Sequence, residues 1–192
     1  MNYRLIARRC FGFTMVELVV VLLLVGILAA IGMTRFFDNA AFENRAYADQ
    51  VKTILRYAQK LAVGRNGPVF VRATPNFLAV CSSAACDDAN KIPAPGGGNS
   101  ASKATRTYCL NAAGNAAGGW MCEGRPGSVT VAANGAAASF GANGGFYFDG
   151  LGRPYNLNDA GITSTFATMT LRFTSGVNTA TVIVNAESGY VQ

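Results

Sequence analysis

Arg8-Arg9-Cys10-Phe11-Gly12-Phe13-Thr14-Met15-Val16-Glu17 runs without a break into LVVVLLLVGILAAIGM at residues 18–33. Everything else in the chain is read outward from this stretch. Residues 1–12 hold three arginines, Arg4, Arg8 and Arg9, and no acid. Residues 13–33 are apolar apart from Thr14 and Glu17. As a helix that run is about 32 Å long at ~1.5 Å per residue, enough to cross a bilayer core. Arg35 follows it. The arginine-rich leader holds the short N-terminal piece in the cytoplasm, so the part beyond the helix is expected to be exported.

Glu17 is out of place in such a helix, because a carboxylate inside an apolar span is costly. Two local readings account for it. Thr14-x-x-Glu17 fits a capping box, in which the two side chains satisfy backbone N–H groups at a helix start. Alternatively, Glu17 sits at headgroup depth. The functional reading gives it a cation, the free α-amino group of Phe13. That group exists only if the chain is cut between Gly12 and Phe13.

The basic leader, the Gly12-Phe13 junction and Phe13-Thr14-Met15-Val16-Glu17 resemble the class III signal of type IV pilins and type II secretion pseudopilins. The resemblance implies that a prepilin peptidase on the cytoplasmic side cuts after Gly12. It further implies that Phe13 is N-methylated and that Glu17 guides subunit docking. An ordinary secretory signal cut near Ala29-Ala30 is the alternative, and a plain signal anchor is a third. The apolar run is long for the first, and the second leaves the Phe13–Glu17 pattern unexplained. Where many members of the family carry a helix-kinking proline, this chain has Thr34. Gly26 and Gly32 are weaker bending sites.

After Arg35 the period stays helical. Tyr47, Val51, Ile54, Leu55, Ala58, Leu61 and Ala62 recur at three- and four-residue steps, opposite Arg45, Asp49, Lys52, Arg56 and Lys60. Asn66-Gly67-Pro68 stops the pattern, and a break near Asp38-Asn39 is expected. Lys52, Arg56 and Lys60 form a basic row that reads as a solvated face. The segment from Leu55 to Ala62 resembles the helix of GspH/FimT-type minor pilins and pseudopilins. The stretch leading to it is most similar to MSHA-type minor pilins.

Past Pro68 the period becomes alternating. Residues 68–73 and 77–81 read as a hairpin, with further strands at 128–132, 137–140, 145–149, 167–175 and 179–185. Residues 82–127 read as a long Gly/Ala/Ser/Asn loop, and residues 149–154 as a turn cluster. The fold class is α+β: a long N-terminal hydrophobic helix continues into a helix packed on an antiparallel sheet, a type IV pilin-like arrangement. The divisions are a leader at 1–12, a transmembrane and filament-core helix at 13–35, the domain-packing part of the helix at 36–66, and a β-rich exported head at 67–192.

Composition narrows the chemistry. Without the three leader arginines, 13 basic and 10 acidic side chains remain, a net charge of +3. That is too little to imply a polyanionic partner by itself. There is no histidine, which removes the commonest general base and metal ligand. No catalytic constellation is present, and no enzyme activity is expected. Gly96-Gly97-Gly98 lacks the Lys-Ser or Lys-Thr of a phosphate loop. Of five cysteines, Cys10 lies in the leader. Cys81, Cys86, Cys109 and Cys122 form an even set in an exported domain, which reads as two disulfides and not as a zinc site. Three pairings are open. Cys81–Cys86 and Cys109–Cys122 are preferred, because each pair brackets a stretch able to turn.

No cofactor is expected. Asp87-Asp88 and Asn156/Asn158/Asp159 are the calcium candidates, since some pseudopilins take calcium in a distal loop. Their spacing fits no EF-hand, and turn formation is the preferred reading. Arg125 and Arg153 sit in two Gly-Arg-Pro turns. Some FimT-like minor pilins bind DNA through a Gly-Arg-x-Arg element, but the second arginine is missing at both turns, so DNA is not expected as a partner. The expected function is that of a structural minor pilin with an assembly, initiation or tip role. A type II secretion minor pseudopilin and a DNA-binding minor pilin of uptake are the alternatives. Expected partners are other pilins through the N-terminal helix, prepilin peptidase, the inner-membrane assembly platform and membrane lipid. The expected location is the inner membrane as a single span with a cytoplasmic N-terminus, then a pilus or periplasmic filament.

Overall fold

The computed structural model describes residues 14–36, 39–135, 140–141 and 144–192. The chain divides into two compact units, Met1–Asn39 and Ala40–Gln192. In the first, helix α1 spans Met15–Phe36. The second opens with helix α2, Asn39–Arg65. The break expected near Asp38-Asn39 begins outside the described residues.

The end of α2 follows from its sequence. Asn66 takes a positive φ of 48°. Its N–H donates to Val63 O at 3.2 Å, and the Gly67 N–H reaches back to Ala62 O at 3.1 Å. This pair of bonds is a Schellman cap, with asparagine in the position glycine usually holds. Along α2, Tyr47, Val51, Ile54, Leu55, Ala58 and Ala62 are buried, and Leu61 is half-buried. The predicted stripe is therefore the core face.

The strands are β1 (Val69–Ala73), β2 (Phe77–Cys81), β3 (Cys122–Gly124), β4 (Thr130–Asn134), β5 (Gly145–Phe148), β6 (Pro154–Asn156), β7 (Met169–Ser175) and β8 (Asn178–Val184). They form two antiparallel sheets, one of five strands in the order β3-β2-β1-β5-β6 and one of three in the order β4-β7-β8. In the β1–β2 hairpin, Thr74 Oγ1 accepts the N–H of Phe77 at 3.0 Å. Val69, Val71, Leu78, Val80, Phe146 and Phe148 of the larger sheet share a core with α2 and with Met169, Leu171, Phe173, Val182 and Val184 of the smaller one. Tyr47 meets Phe173 edge to face at 5.5 Å.

Several sequence expectations are corrected. The strands split between two sheets and do not form one. Residues 82–127 are not a single loop: they contain the short helix α3, Lys103–Tyr108, and β3. Ser102 caps α3 by accepting the Thr105 N–H at 3.1 Å. The turn cluster runs on into β6, and the strand expected at 128–132 lies at Thr130–Asn134. The strand expected at 137–140 falls mostly outside the described residues. The loop expectation failed for one reason. The excursion from residue 82 to 121 builds a second small core on the outer face of the larger sheet, around Ala79, Cys81, Cys109, Trp120 and Cys122. Trp120 Nε1 donates to Val80 O at 2.8 Å. Structure held by a few anchors leaves no periodic trace in the sequence.

Candidate functional site

At the start of α1, Thr14 Oγ1 accepts the backbone N–H of Glu17 at 3.2 Å. The Leu18 N–H makes its helical bond to Thr14 O, also at 3.2 Å. Thr14 is therefore the N-cap, and the threonine half of the predicted capping box is formed. Glu17 lies in the first turn, where the helix dipole favours a negative charge. Gly12 and Phe13, the predicted cleavage junction and methylation site, lie outside the described residues, as does the leader.

From Thr14 to Ala29, Glu17 is the one charged residue, and the large apolar side chains are exposed on every side. Val16 is 73 % exposed and Leu23 62 %. A helix that is apolar all round has no stripe for a protein core and requires an apolar environment about its whole circumference. The span expected at 13–35 starts outside the described residues. Among the described residues no helix is long and apolar enough to cross a membrane.

Residues 7–33 match the prokaryotic N-terminal methylation motif. The motif ends before α2 begins, so it says nothing of the second unit. No curated protein sequence matches the chain. Two crystal structures of the type IV minor pilin FimU from Pseudomonas aeruginosa align with it. One has a TM-score of 0.42 at 11% identity, over 77% of this chain and 90% of that one. The other has 0.43 at 12%, over 78% and 87%. Likeness at that level carries no argument about function.

In the second unit the structure brings the four cysteines together as Cys81–Cys86 and Cys109–Cys122, with Cα atoms 5.3 and 6.0 Å apart. Both bridges close the excursion that covers the outer sheet face. The calcium candidates are held in turns. Asp87 Oδ1 accepts the N–H of Asn90 at 3.1 Å, and Asp88 pairs with Lys91. The Lys91 hydrogen bond holds the Asp88 carboxyl below its ordinary range, helped by the N–H of Ala112. Asp159 accepts from the N–H groups of Asn156 and Thr165 and from the Thr165 hydroxyl. Burial pushes the Asp159 carboxyl up, but those bonds outweigh it and the pKa falls. Among the described residues no group of three or more Cys, Asp or Glu side chains is placed to hold a metal.

The arginines of the two Gly-Arg-Pro turns are engaged within the fold. Arg125 donates to Pro75 O at 2.6 Å and to Val129 O. Arg153 donates to Asp149 Oδ2 and, at 2.7 Å, to Tyr155 Oη. In the basic row, Arg56 Nε donates to Val191 O at 3.0 Å and ties the last residues to α2. These cations do structural work within the fold.

Glu123 was missed by sequence reasoning. It is 7 % exposed, on β3, and lines a cavity of about 630 Å³ between α2 and α3. The hydroxyls of Ser100 and Thr105 each donate to its Oε1 at 2.9 Å, and Thr105 Oγ1 also accepts the Gly124 N–H at 3.0 Å. Burial pushes the Glu123 carboxyl above its ordinary range, and the hydroxyl bonds only partly offset this. Burial also holds the Tyr47 phenol, which lines the same cavity, well above its ordinary value. The network pins α3 to β3. Gly124 is required there, since a side chain would run into the backbone of Ala104. A lone acid beside a cysteine, with Ser100, Ser102 and Thr105 upstream, was the only available signal.

Proposed function

We propose that this chain is a structural minor pilin of a type IV pilus-like filament, made as a membrane-anchored precursor and cut by prepilin peptidase between Gly12 and Phe13. The observation that carries this is the methylation motif over residues 7–33 leading into α1, which is apolar on all sides and has one carboxylate in its first turn. Such a helix suits two environments in succession, lipid before assembly and the packed helices of a filament after it. Phe13 is the methylated N-terminus. Glu17 pairs with the amino group of Phe13 on a neighbouring subunit, and that pairing offsets the cost of placing a charge among apolar helices. The partners are other pilins, the assembly platform and lipid. Residues 40–192 form the exported head, and the role is assembly, initiation or tip placement without enzyme chemistry. The engagement of Arg125 and Arg153 in the fold weighs against a DNA-uptake role.

Intact-protein mass spectrometry tests the reading. The expected mature chain begins at N-methylated Phe13. A chain starting near Ala30 would replace this proposal with ordinary secretion, and one retaining Met1 would leave a plain anchor. Glu17→Gln keeps capping ability and removes the charge. It should insert in the membrane and fail to enter filaments, as scored by sheared-filament immunoblot. Normal assembly would sink the charge-pairing role.

A further inference from the structure

β8 is the last strand of the three-stranded sheet, and only part of its outer edge is used. Ile183 exchanges both backbone hydrogen bonds with Gln192 at 3.0 Å, and Asn185 N–H donates to Tyr190 O at 3.0 Å. Backbone groups alternate sides along an antiparallel strand. The N–H and C=O of Thr181 and Thr179 therefore face the same outer edge as those of Ile183. Among the described residues no strand pairs with them there.

That edge lies along a groove of about 390 Å³ whose other wall is α2. Asn44 lines the groove and is 2 % exposed. Its Nδ2 donates to Asn178 O at 3.0 Å and Phe173 O at 3.4 Å. These two carbonyls determine which way the amide is turned. Its Oδ1 is left buried without a hydrogen-bond partner. A buried acceptor with no donor is uncommon in a finished fold. Arg45 and Lys52 line the same groove against one acid, Asp49. Neither cation forms an ion pair among the described residues.

We propose that the outer edge of β8 accepts an extended strand from a partner polypeptide bearing a carboxylate side chain. The strand pairs with Thr181 and Thr179 and sets its carboxylate against Arg45 and Lys52. It continues the line of Tyr190–Gln192, which already uses this edge. The free edge from Asn178 to Val182 is about 13 Å long at ~3.3 Å per residue, room for a short strand of about four residues. Backbone pairing supplies the affinity in this mode, and the flanking charges choose among strands.

The test uses the full-length protein in detergent micelles and a blocked peptide, Thr-Val-Thr-Glu-Thr-Val-Thr. Amide hydrogen exchange at Thr179 and Thr181 is read with and without peptide. Saturation should slow both by roughly tenfold and leave Asn185 unchanged. N-methylating alternate peptide residues in one phase should abolish the effect, and in the other phase should not. Replacing the peptide Glu with Lys should weaken binding, and equal binding would overturn the carboxylate's role. Thr181→Pro removes one edge donor at a position where an edge strand tolerates proline, and should abolish peptide binding. If that variant does not fold, the N-methyl pair still decides. Appending the peptide sequence after Gln192 raises its effective concentration. No slowing even then would overturn the proposal, as would equal binding by both N-methyl phases. Slowing that grows with protein concentration and needs no peptide would mean that a second copy fills the edge, overturning the choice of partner.

Discussion

α1 and α2 lie close in sequence and treat their apolar side chains in opposite ways. α2 buries most of them along one stripe, where Leu55 is 0 % exposed, and leaves only Phe42 and Val63 among its large ones exposed. Its other face carries Arg45, Asp49 and Lys60 in solvent. α1 has no polar face, and its described leucines, valines and isoleucine stay exposed. A fully buried leucine is worth about 1.5–3 kcal/mol relative to an exposed one. α2 gains that within the chain. α1 gains it only from surroundings that the chain does not itself provide. The stability of the second unit therefore rests on α2 and not on α1.

The sharpest way to break this contrast is to truncate one leucine in each. Leu55→Ala should lower the unfolding free energy by about 2–5 kcal/mol. Leu23→Ala should change it by no more than about 0.5 kcal/mol. Urea unfolding in detergent, followed by Trp120 fluorescence, reads both, and equal losses would refute the division of labour.

Next come the disulfides, which decide whether the outer-face core needs covalent help. Replacing Cys109 and Cys122 together by serine should cost about 3 kcal/mol on the chain-entropy model. Replacing Cys81 and Cys86 should cost less, because the closed loop is shorter, with a sequence separation of 5 against 13. Non-reducing peptide mapping checks the pairing, and calorimetry checks the order of the two effects.

A smaller effect is expected at the start of α1. Thr14→Val removes the acceptor for the Glu17 N–H and should destabilise the helix start by about 1 kcal/mol. It should appear as faster amide exchange at Glu17, with Thr14→Ser restoring protection. Unchanged exchange would mean that the cap contributes nothing in the detergent or membrane environment.

The finest test is pH. Glu123 has a pKa raised by burial, so its folded form holds a proton more tightly than its unfolded form. Its contribution to stability is full below the ordinary glutamate pKa and is lost as pH rises through the raised folded value. Glu123→Gln should flatten that part of the stability–pH curve and leave the acid end little changed. Thermal unfolding measured from pH 4 to pH 8 would show it. A slope identical to wild type would mean that Glu123 is not the titrating group.

The apolar helix α1, the core stripe of α2 and the β7–β8 hairpin were legible because each repeats one local rule over many residues. Val51, Leu55, Ala58 and Ala62 announce a buried helix face by their spacing alone. The excursion that shelters Trp120 was not legible. Much of its order comes from a tryptophan whose indole reaches 40 residues back to Val80 O, and no short window contains both ends. The same holds for Glu123, whose hydroxyl partners lie 18 and 23 residues away.

The sequence by itself determined the motif at the head of α1, the all-apolar helix behind it and the identity of the core face of α2. These are properties of adjacent residues, set by period and polarity. Only the tertiary structure decided that the strands divide between two sheets and that Glu123 is buried among hydroxyls. It also decided that Arg125, Arg153 and Arg56 point into the fold, and that β8 keeps an unpaired edge beside Asn44. Those outcomes depend on which distant segments meet. A residue's charge or hydrogen-bonding capacity is written in its name, whereas the group that satisfies it is chosen by packing.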